Sequence, residues 1–265
     1  AYEMTSSLVG SEMCIRDSRK GRDTNMYRIV RKEALRPTVT LYEIEAPLIA
    51  KKAQPGQFII LRTDENGERI PITINAYDPE KGTVTIIVQT VGATTVKLSH
   101  MKEGDCLADF VGPLGKPTET EGKKKVCVVG GGVGCAIAYP VLKKFHDCGA
   151  EVHAVVGFKN KDLVILEDKF RAASSVLKLM TDDGSYGEKG LVTDALKALI
   201  DAGNQYDEIF AIGPAIMMKF VSKTTEPYGI PTTVSMSPIM VDGTGMCGGC
   251  RLTVGGETKF ACVDG

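Results

Sequence analysis

The chain has 265 residues, 43% of them hydrophobic, with 32 Lys and Arg against 33 Asp and Glu and a formal net charge of −1. That length suits one large or two small domains plus an appendage, with enough chain to bury a real core. The balanced charge, with no basic run longer than residues 123–125, argues against a nucleic-acid or membrane-surface partner, and no apolar run approaches the roughly 18 residues that span a bilayer.

Residues 1–25 look foreign to the rest of the chain. Residues 7–18 lack an apolar stretch long enough for a signal peptide. They resemble translated sequencing-adapter read-through, so the natural start is expected at Met26, and Cys14 carries no functional argument. Strands rich in β-branched residues are expected at 27–32, 39–45, 57–62, 70–74 and 83–89, and a short helix at 96–101. Pro55-Gly56 and the turn runs at 65–68 and 79–82 punctuate them. Evenly spaced strands of this kind predict a small antiparallel β-barrel over 26–117. The breaker-rich run 112–117 and the polar residues 118–122 mark a domain boundary.

From Lys125 the pattern changes. Strands expected at 126–129, 151–156, 177–180, 208–212 and 231–235 alternate with helices expected at 136–147, 162–171, 192–202 and 215–223. Alternation predicts a parallel, doubly wound α/β domain over 123–235. Residues 236–265 form a separate tail, and the chain stops three residues after Cys262, which reads as truncation.

Gly130, Gly131, Gly132, Val133 and Gly134 lie between a strand and a helix. Small residues there let a pyrophosphate approach backbone N–H groups at the helix N-terminus. The run departs from the dinucleotide fingerprint because its sixth position is Cys135. The next strand ends in Gly157-Phe158-Lys159 rather than in an acidic residue. The runs 181–187 and 213–217 each follow a strand and fall on the same rim. Asp182, Gly184, Gly213, Pro214 and Met217 therefore join the nucleotide candidates, with Asp182 and Asp183 either bonding ribose hydroxyls or capping a turn. In the barrel, Ile72, Thr73 and Ile74 could wall and edge a flavin ring, while Gly92, Thr94 and Thr95 could supply donors to its diphosphate. The three histidines, His100, His146 and His153, are scattered, and none is expected to form a nucleophilic triad or a metal-hydrolase site. Cofactor chemistry fits that absence, because it asks the protein for positioning rather than acid–base groups.

The tail carries Asp242, Cys247, Cys250 and Cys262 at the spacing Asp-x4-Cys-x2-Cys-x11-Cys. Plant-type 2Fe–2S sites use Cys-x4-Cys-x2-Cys and a distant fourth Cys. Here Asp242 stands at the first position, and a carboxylate is an anionic ligand at neutral pH. The rival is a zinc knuckle on Cys247 and Cys250, but zinc ribbons pair two such units and only one is present.

Barrel, glycine-rich α/β domain and cluster loop, in that order, resemble the ferredoxin-reductase-like flavoproteins. The tail 240–254 with 259–265 is similar to the small, or alpha, subunits of NADH-dependent ferredoxin:NADP oxidoreductase and sulfide dehydrogenase. These belong to the dihydroorotate dehydrogenase electron-transfer-subunit-like group. The resemblance covers about residues 26–265. It implies FAD on the barrel at Arg69, Pro71, Ile72, Thr73, Gly92, Thr94 and Thr95, NAD(H) on the α/β domain, and a 2Fe–2S cluster on the tail. It also implies a cytoplasmic oxidoreductase subunit with a larger iron–sulfur flavoprotein partner, through which ferredoxin would be reached. The broader flavoproteins carry Arg-x-Tyr-Ser; here Ile72 replaces the aromatic residue and Arg69 sits one residue early. Asp242 favours the ferredoxin–NADP and sulfide dehydrogenase branch over the four-Cys dihydroorotate branch. The alternatives are a dihydroorotate dehydrogenase B electron-transfer subunit, a stand-alone flavin reductase with a structural zinc tail, and a nucleotide-sensing module.

Overall fold

In the computed structural model, which describes residues 27–264, the barrel region is a seven-stranded antiparallel sheet. The leader at 1–25 and the expected start at Met26 lie outside the described residues. The strands are β1 (Tyr27–Arg36), β2 (Val39–Glu45), β3 (Phe58–Arg62), β4 (Ile70–Asp78), β5 (Thr83–Gln89), β6 (Cys106–Leu107) and β7 (Asp109–Leu114), in the order β6-β1-β2-β5-β4-β3-β7. β6 and β7 end the sheet, yet only Ala108 separates them in the chain. The sheet therefore curls until its two ends meet, giving a near-closed barrel. Alternate residues point inward, and Ile29, Tyr42, Ile59, Ile74, Ile86 and Phe110 fill the interior.

Two strand expectations need correction. β6 and β7 were not expected, and β7 runs through Gly112 and Pro113 to Leu114, into the breaker-rich run read as a boundary. Pro is tolerated there because β7 is an edge strand whose outer N–H has no ladder partner. Helix α1 is Pro47–Ala50, and α2 is Ala93–His100, starting earlier than expected. The Thr95 hydroxyl accepts the backbone N–H groups of Val91 and Gly92, each at 2.9 Å, and so caps the turn before Val96.

The second unit is a six-stranded parallel sheet of β8 (Lys125–Gly131), β9 (Glu151–Phe158), β10 (Val176–Thr181), β11 (Glu188–Lys189), β12 (Glu208–Ile212) and β13 (Thr232–Val234), in the order β11-β10-β9-β8-β12-β13. Its helices are α3 (Gly134–Asp147), α4 (Glu167–Ala172), α5 (Val192–Asp201) and α6 (Ala215–Thr225). Strand side chains alternate between two cores. Val126 and Val128 pack with Phe145 and Phe170, while Cys127 and Val129 pack with Leu196 and Val221 on the other face. Residues 162–171, expected as one helix, divide into a 3-10 turn at Lys161–Leu163 and α4. Leu166 between them has φ 58°, a left-handed conformation that cannot continue a helix. Winding reverses at β8, between β9 and β12, and this switch point opens the ligand crevice of such folds.

The two units share a buried seam. Val39, Leu41 and Ile87 of the barrel join the α3 core. Asn75 of β4 is 3% exposed, and its amide nitrogen donates to the Ala136 carbonyl in the first turn of α3 at 2.6 Å. The tail ends in an antiparallel hairpin of β14 (Arg251–Val254) and β15 (Glu257–Phe260). Met240, Cys250 and Cys262 pack on Ile60 of β3. A Cβ on Gly243 would stand 2.7 Å from Leu114 and 2.9 Å from Ile60, so glycine lets the tail loop lie flush on the barrel. Among the described residues no helix is long and apolar enough to cross a membrane.

Candidate functional site

At the switch point lies a cleft of about 890 Å³ lined by Gly131, Gly132, Val133 and Gly134, by Asp182, and by Gly213, Pro214 and Met217. The three rim loops expected to share one edge do so. Their glycines play different parts. A Cβ on Gly134 would meet the Ile212 carbonyl oxygen at 2.5 Å, and one on Gly213 would meet Gly131 Cα at 3.1 Å. These glycines let α3 and the β12–α6 loop close on each other. Gly132 differs, with φ +55° and open space around its missing Cβ. It is the position where a ligand can reach the backbone. Gly130 is buried against the Cys135 sulfur, and Gly184 packs against Lys189; neither lines the cleft. Asp183 caps a turn, accepting the Ser185 N–H at 2.9 Å and its hydroxyl at 2.7 Å, which leaves Asp182 as the carboxylate facing the cleft.

Sequence reasoning missed several lining residues: Gln89 at the end of β5, Leu191, Ile216, Phe220, Ser235 and Ser237. Ile216 and Phe220 are 61% and 50% exposed and lie four residues apart, on one face of α6. The run 215–220 is apolar on nearly every side, so its pattern alone could not separate the core-facing residues from the cleft-facing ones.

Gln89 brings the barrel to the same cleft, and Val91–Thr95 follow it directly. Gly92 has open space around it, whereas Thr94 is buried and the Thr95 hydroxyl is engaged in capping α2. On β4 the register pairs Thr73 with Phe58 and Pro71 with Ile60. Thr73 and Pro71 therefore face outward with those two residues, while Ile72 packs against the barrel core. Arg69 is held between the tail and β7. Its Nε donates to the Val241 carbonyl at 2.8 Å, and its Nη1 lies 3.4 Å from Asp109 Oδ2.

In the tail the four expected ligands form two pairs. The Cys250 and Cys262 sulfurs are 3.2 Å apart and almost wholly buried. Burial, with Cys250 alongside, pushes the Cys262 thiol up to about 11. Asp242 is partly exposed and Cys247 is exposed. Asp242 Oδ1 accepts the Thr244 N–H and Oδ2 the Cys247 N–H, each at 2.8 Å. The Thr244 N–H is the chief cause of a depressed Asp242 carboxyl pKa. Backbone hydrogen bonding at Gly249, Asp242 and Val241 holds the Cys247 thiol below its ordinary range. Hydrogen bonding of this kind suits an anionic sulfur. Among the described residues no three thiol, imidazole or carboxylate groups are gathered for one metal ion. Two ligand pairs along one loop fit two irons better than one tetrahedral zinc, whose four ligands must share a centre.

A family model described as the iron–sulfur cluster binding domain of dihydroorotate dehydrogenase B matches residues 237–265. The chain is 48% identical over 242 residues to the dihydroorotate dehydrogenase B electron transfer subunit homolog of Thermotoga maritima, covering 91% of this chain and 85% of that one. It is 32% identical over 246 residues to the dihydroorotate dehydrogenase B (NAD(+)) electron transfer subunit of Streptococcus pneumoniae, covering 90% and 93%. A solved structure of the NADH-dependent reduced ferredoxin-NADP oxidoreductase, described for flavin-based electron bifurcation, superposes with a TM-score of 0.87 at 45% identity over 92% of this chain and 88% of that one. The chain belongs to the family of dihydroorotate dehydrogenase B electron-transfer subunits and their homologues.

Proposed function

We propose that this protein is an electron-transfer subunit that moves electrons between NAD(H) in the switch-point cleft, FAD on the barrel and a 2Fe–2S cluster on the tail. The observation that carries this reading is the seam. Asn75 of β4 bonds the first turn of α3, Gln89 at the end of β5 lines the glycine-rich cleft, and Ile60 on the outer face of β3 packs under the tail thiols. FAD supplies the conversion, since it accepts two electrons together as hydride and releases them singly.

The chain's own residues bind and orient. Gly132 opens the backbone of the α3 loop to a pyrophosphate, and Asp182 offers a carboxylate to ribose hydroxyls. Pro71 and Thr73 present an outward face to a flavin, with the loop at Gly92 for its diphosphate. Asp242 and Cys247 would ligate one iron, and Cys250 and Cys262 the other. The names of the relatives as electron-transfer subunits support a larger partner subunit. We extend this to an iron–sulfur flavoprotein partner that passes electrons to or from ferredoxin. The seven cysteines of the described residues are all free, two of them exposed, which fits a reducing cytoplasm.

Anaerobic purification followed by flavin, iron and acid-labile sulfide assay tests the reading. About one FAD and one 2Fe–2S cluster per chain is the expected content. Zinc without iron or sulfide would overturn the cluster assignment in favour of a structural zinc tail.

A further inference from the structure

Arg69 opens the strand whose outer face we assign to the flavin, yet its side chain reaches across to the tail. Nε donates to the Val241 carbonyl at 2.8 Å, bridging 172 positions of sequence. Asp109 Oδ2 steadies the guanidinium at 3.4 Å from Nη1 and pairs with Arg62 Nε at 2.8 Å. Arg62 and Asp109 are cross-strand partners on β3 and β7, so the carboxylate is anchored by barrel register and not by a mobile loop.

The carbonyl that Arg69 holds belongs to the peptide joining Val241 to Asp242. The second residue of that peptide, Asp242, carries the carboxylate that accepts the Cys247 N–H at 2.8 Å. One side chain of the barrel therefore fixes the peptide that leads into one ligand candidate and, through its carboxylate, holds the backbone of another. Hydrogen bonds to cluster sulfurs and the orientation of ligands both tune an iron–sulfur centre. The arginine is half-buried, at 32% side-chain exposure, which limits the screening of this contact by solvent.

We propose that Arg69, oriented by Asp109, is a positioning residue for the 2Fe–2S loop rather than a ligand of the flavin diphosphate. This rests on the electron-transfer reading above. It assigns to a barrel residue the task of holding the first half of the cluster loop, while Gly243 lets the loop seat on Leu114 and Ile60.

The test uses the full chain, purified anaerobically as wild type and as Arg69→Ala, Arg69→Lys and Asp109→Asn. Each is assayed for FAD, iron and sulfide, for the midpoint potential and electron paramagnetic resonance spectrum of the reduced cluster, and for iron loss to a chelator. Arg69→Ala is expected to keep wild-type FAD content, to shift the cluster spectrum and potential, and to lose iron about tenfold faster, the scale of one lost charge-assisted hydrogen bond. Arg69→Lys, which still offers a cationic donor, should restore much of the wild-type signal, and Asp109→Asn should shift it in the direction of Arg69→Ala. Loss of FAD from Arg69→Ala with an unchanged cluster would overturn the proposal in favour of a flavin ligand. An unchanged spectrum, potential and chelation rate in Arg69→Ala would overturn it as well. A wild-type protein without iron or sulfide defeats the underlying cluster reading instead, and that result is visible before any variant is compared.

Discussion

The sulfur of Cys250 stands 3.2 Å from the sulfur of Cys262, twelve positions along the chain, and both are sealed under the tail on Ile60. Two thiolates on one metal with bonds near 2.3 Å would stand about 3.8 Å apart. The free pair therefore lies close to ligating separation and needs only a small opening to take an iron.

Asp242 and Cys247 make the other pair, at the exposed end of the same loop. Asp242→Ala should lose the cluster or leave it labile, with FAD retained on the barrel. Asp242→Cys should keep a 2Fe–2S centre with an altered spectrum and potential, because thiolate is a softer and more covalent donor than carboxylate. Metal analysis and electron paramagnetic resonance check both. A wild-type resonance and midpoint potential in Asp242→Ala would show that the carboxylate is not on iron.

Gly132 and Gly134 share one turn and should fail in opposite ways. In Gly134→Ala the new methyl would meet backbone, 2.5 Å from the Ile212 carbonyl oxygen and 2.7 Å from Gly213 Cα, so neither can yield by rotating a side chain. Overpacking of this kind costs about 1–3 kcal/mol, and thermal unfolding should register it. In Gly132→Ala the methyl enters open space, at the cost of about 1 kcal/mol for a left-handed residue. Its main effect should be weaker NADH binding, from a methyl placed where a pyrophosphate would reach the backbone. Titration of flavin reduction against NADH separates the two variants.

The barrel-then-α/β order was legible because Gly and Pro punctuate the first half and strand–helix alternation marks the second. What was missed turns on motif matching, on short strands and on distance. Ile70, Ile72 and Ile74 alternate with Pro71 and Thr73, a period that sets the isoleucines on the core face, yet matching Ile72 by position to the aromatic residue of a flavoprotein motif assigned it to the flavin. β6 is two residues long, and β7 carries a Gly-Pro pair, so neither resembles a strand in isolation. The Val241 partner of Arg69 lies far along the chain and is a backbone carbonyl, which carries no sequence signature at all. By contrast, the tail spacing was readable because ligand chemistry fixes residue type and interval together.

Acid should weaken the α/β domain through His153, which is 3% exposed. Its Nδ1 lies 2.8 Å from the Tyr206 hydroxyl and its Nε2 3.0 Å from Glu151 Oε1. Burial depresses its pKa below 6.5, and the Glu151 carboxylate opposes that only in part. The folded state thus binds fewer protons here than the unfolded state. Stability from this group is complete above pH 6.5 and is lost as pH falls through the depressed folded value. The urea midpoint of wild type should decline as the pH falls below 6.5 more steeply than that of His153→Gln. Equal slopes in the two proteins would remove His153 from the acid response.

Two residues of opposite charge line one cleft, Asp182 just after β10 and Lys159 just after β9, and we expect nucleotide choice to turn on them. A carboxylate favours ribose hydroxyls and repels a 2′-phosphate, whereas a lysine welcomes it. Asp183, the neighbouring acid, is occupied in a turn with Ser185, which leaves the discriminating role to Asp182. We expect NADH to reduce the flavin in preference to NADPH. Asp182→Asn should lower kcat/KM for NADH about tenfold, the effect of one charged hydrogen bond, while leaving NADPH unchanged or improved. Lys159→Ala should widen the preference by depressing the residual NADPH rate. Stopped-flow flavin reduction at matched concentrations measures both. Faster reduction by NADPH in the wild type would assign the dominant field in the cleft to Lys159 and reverse the roles of the two side chains.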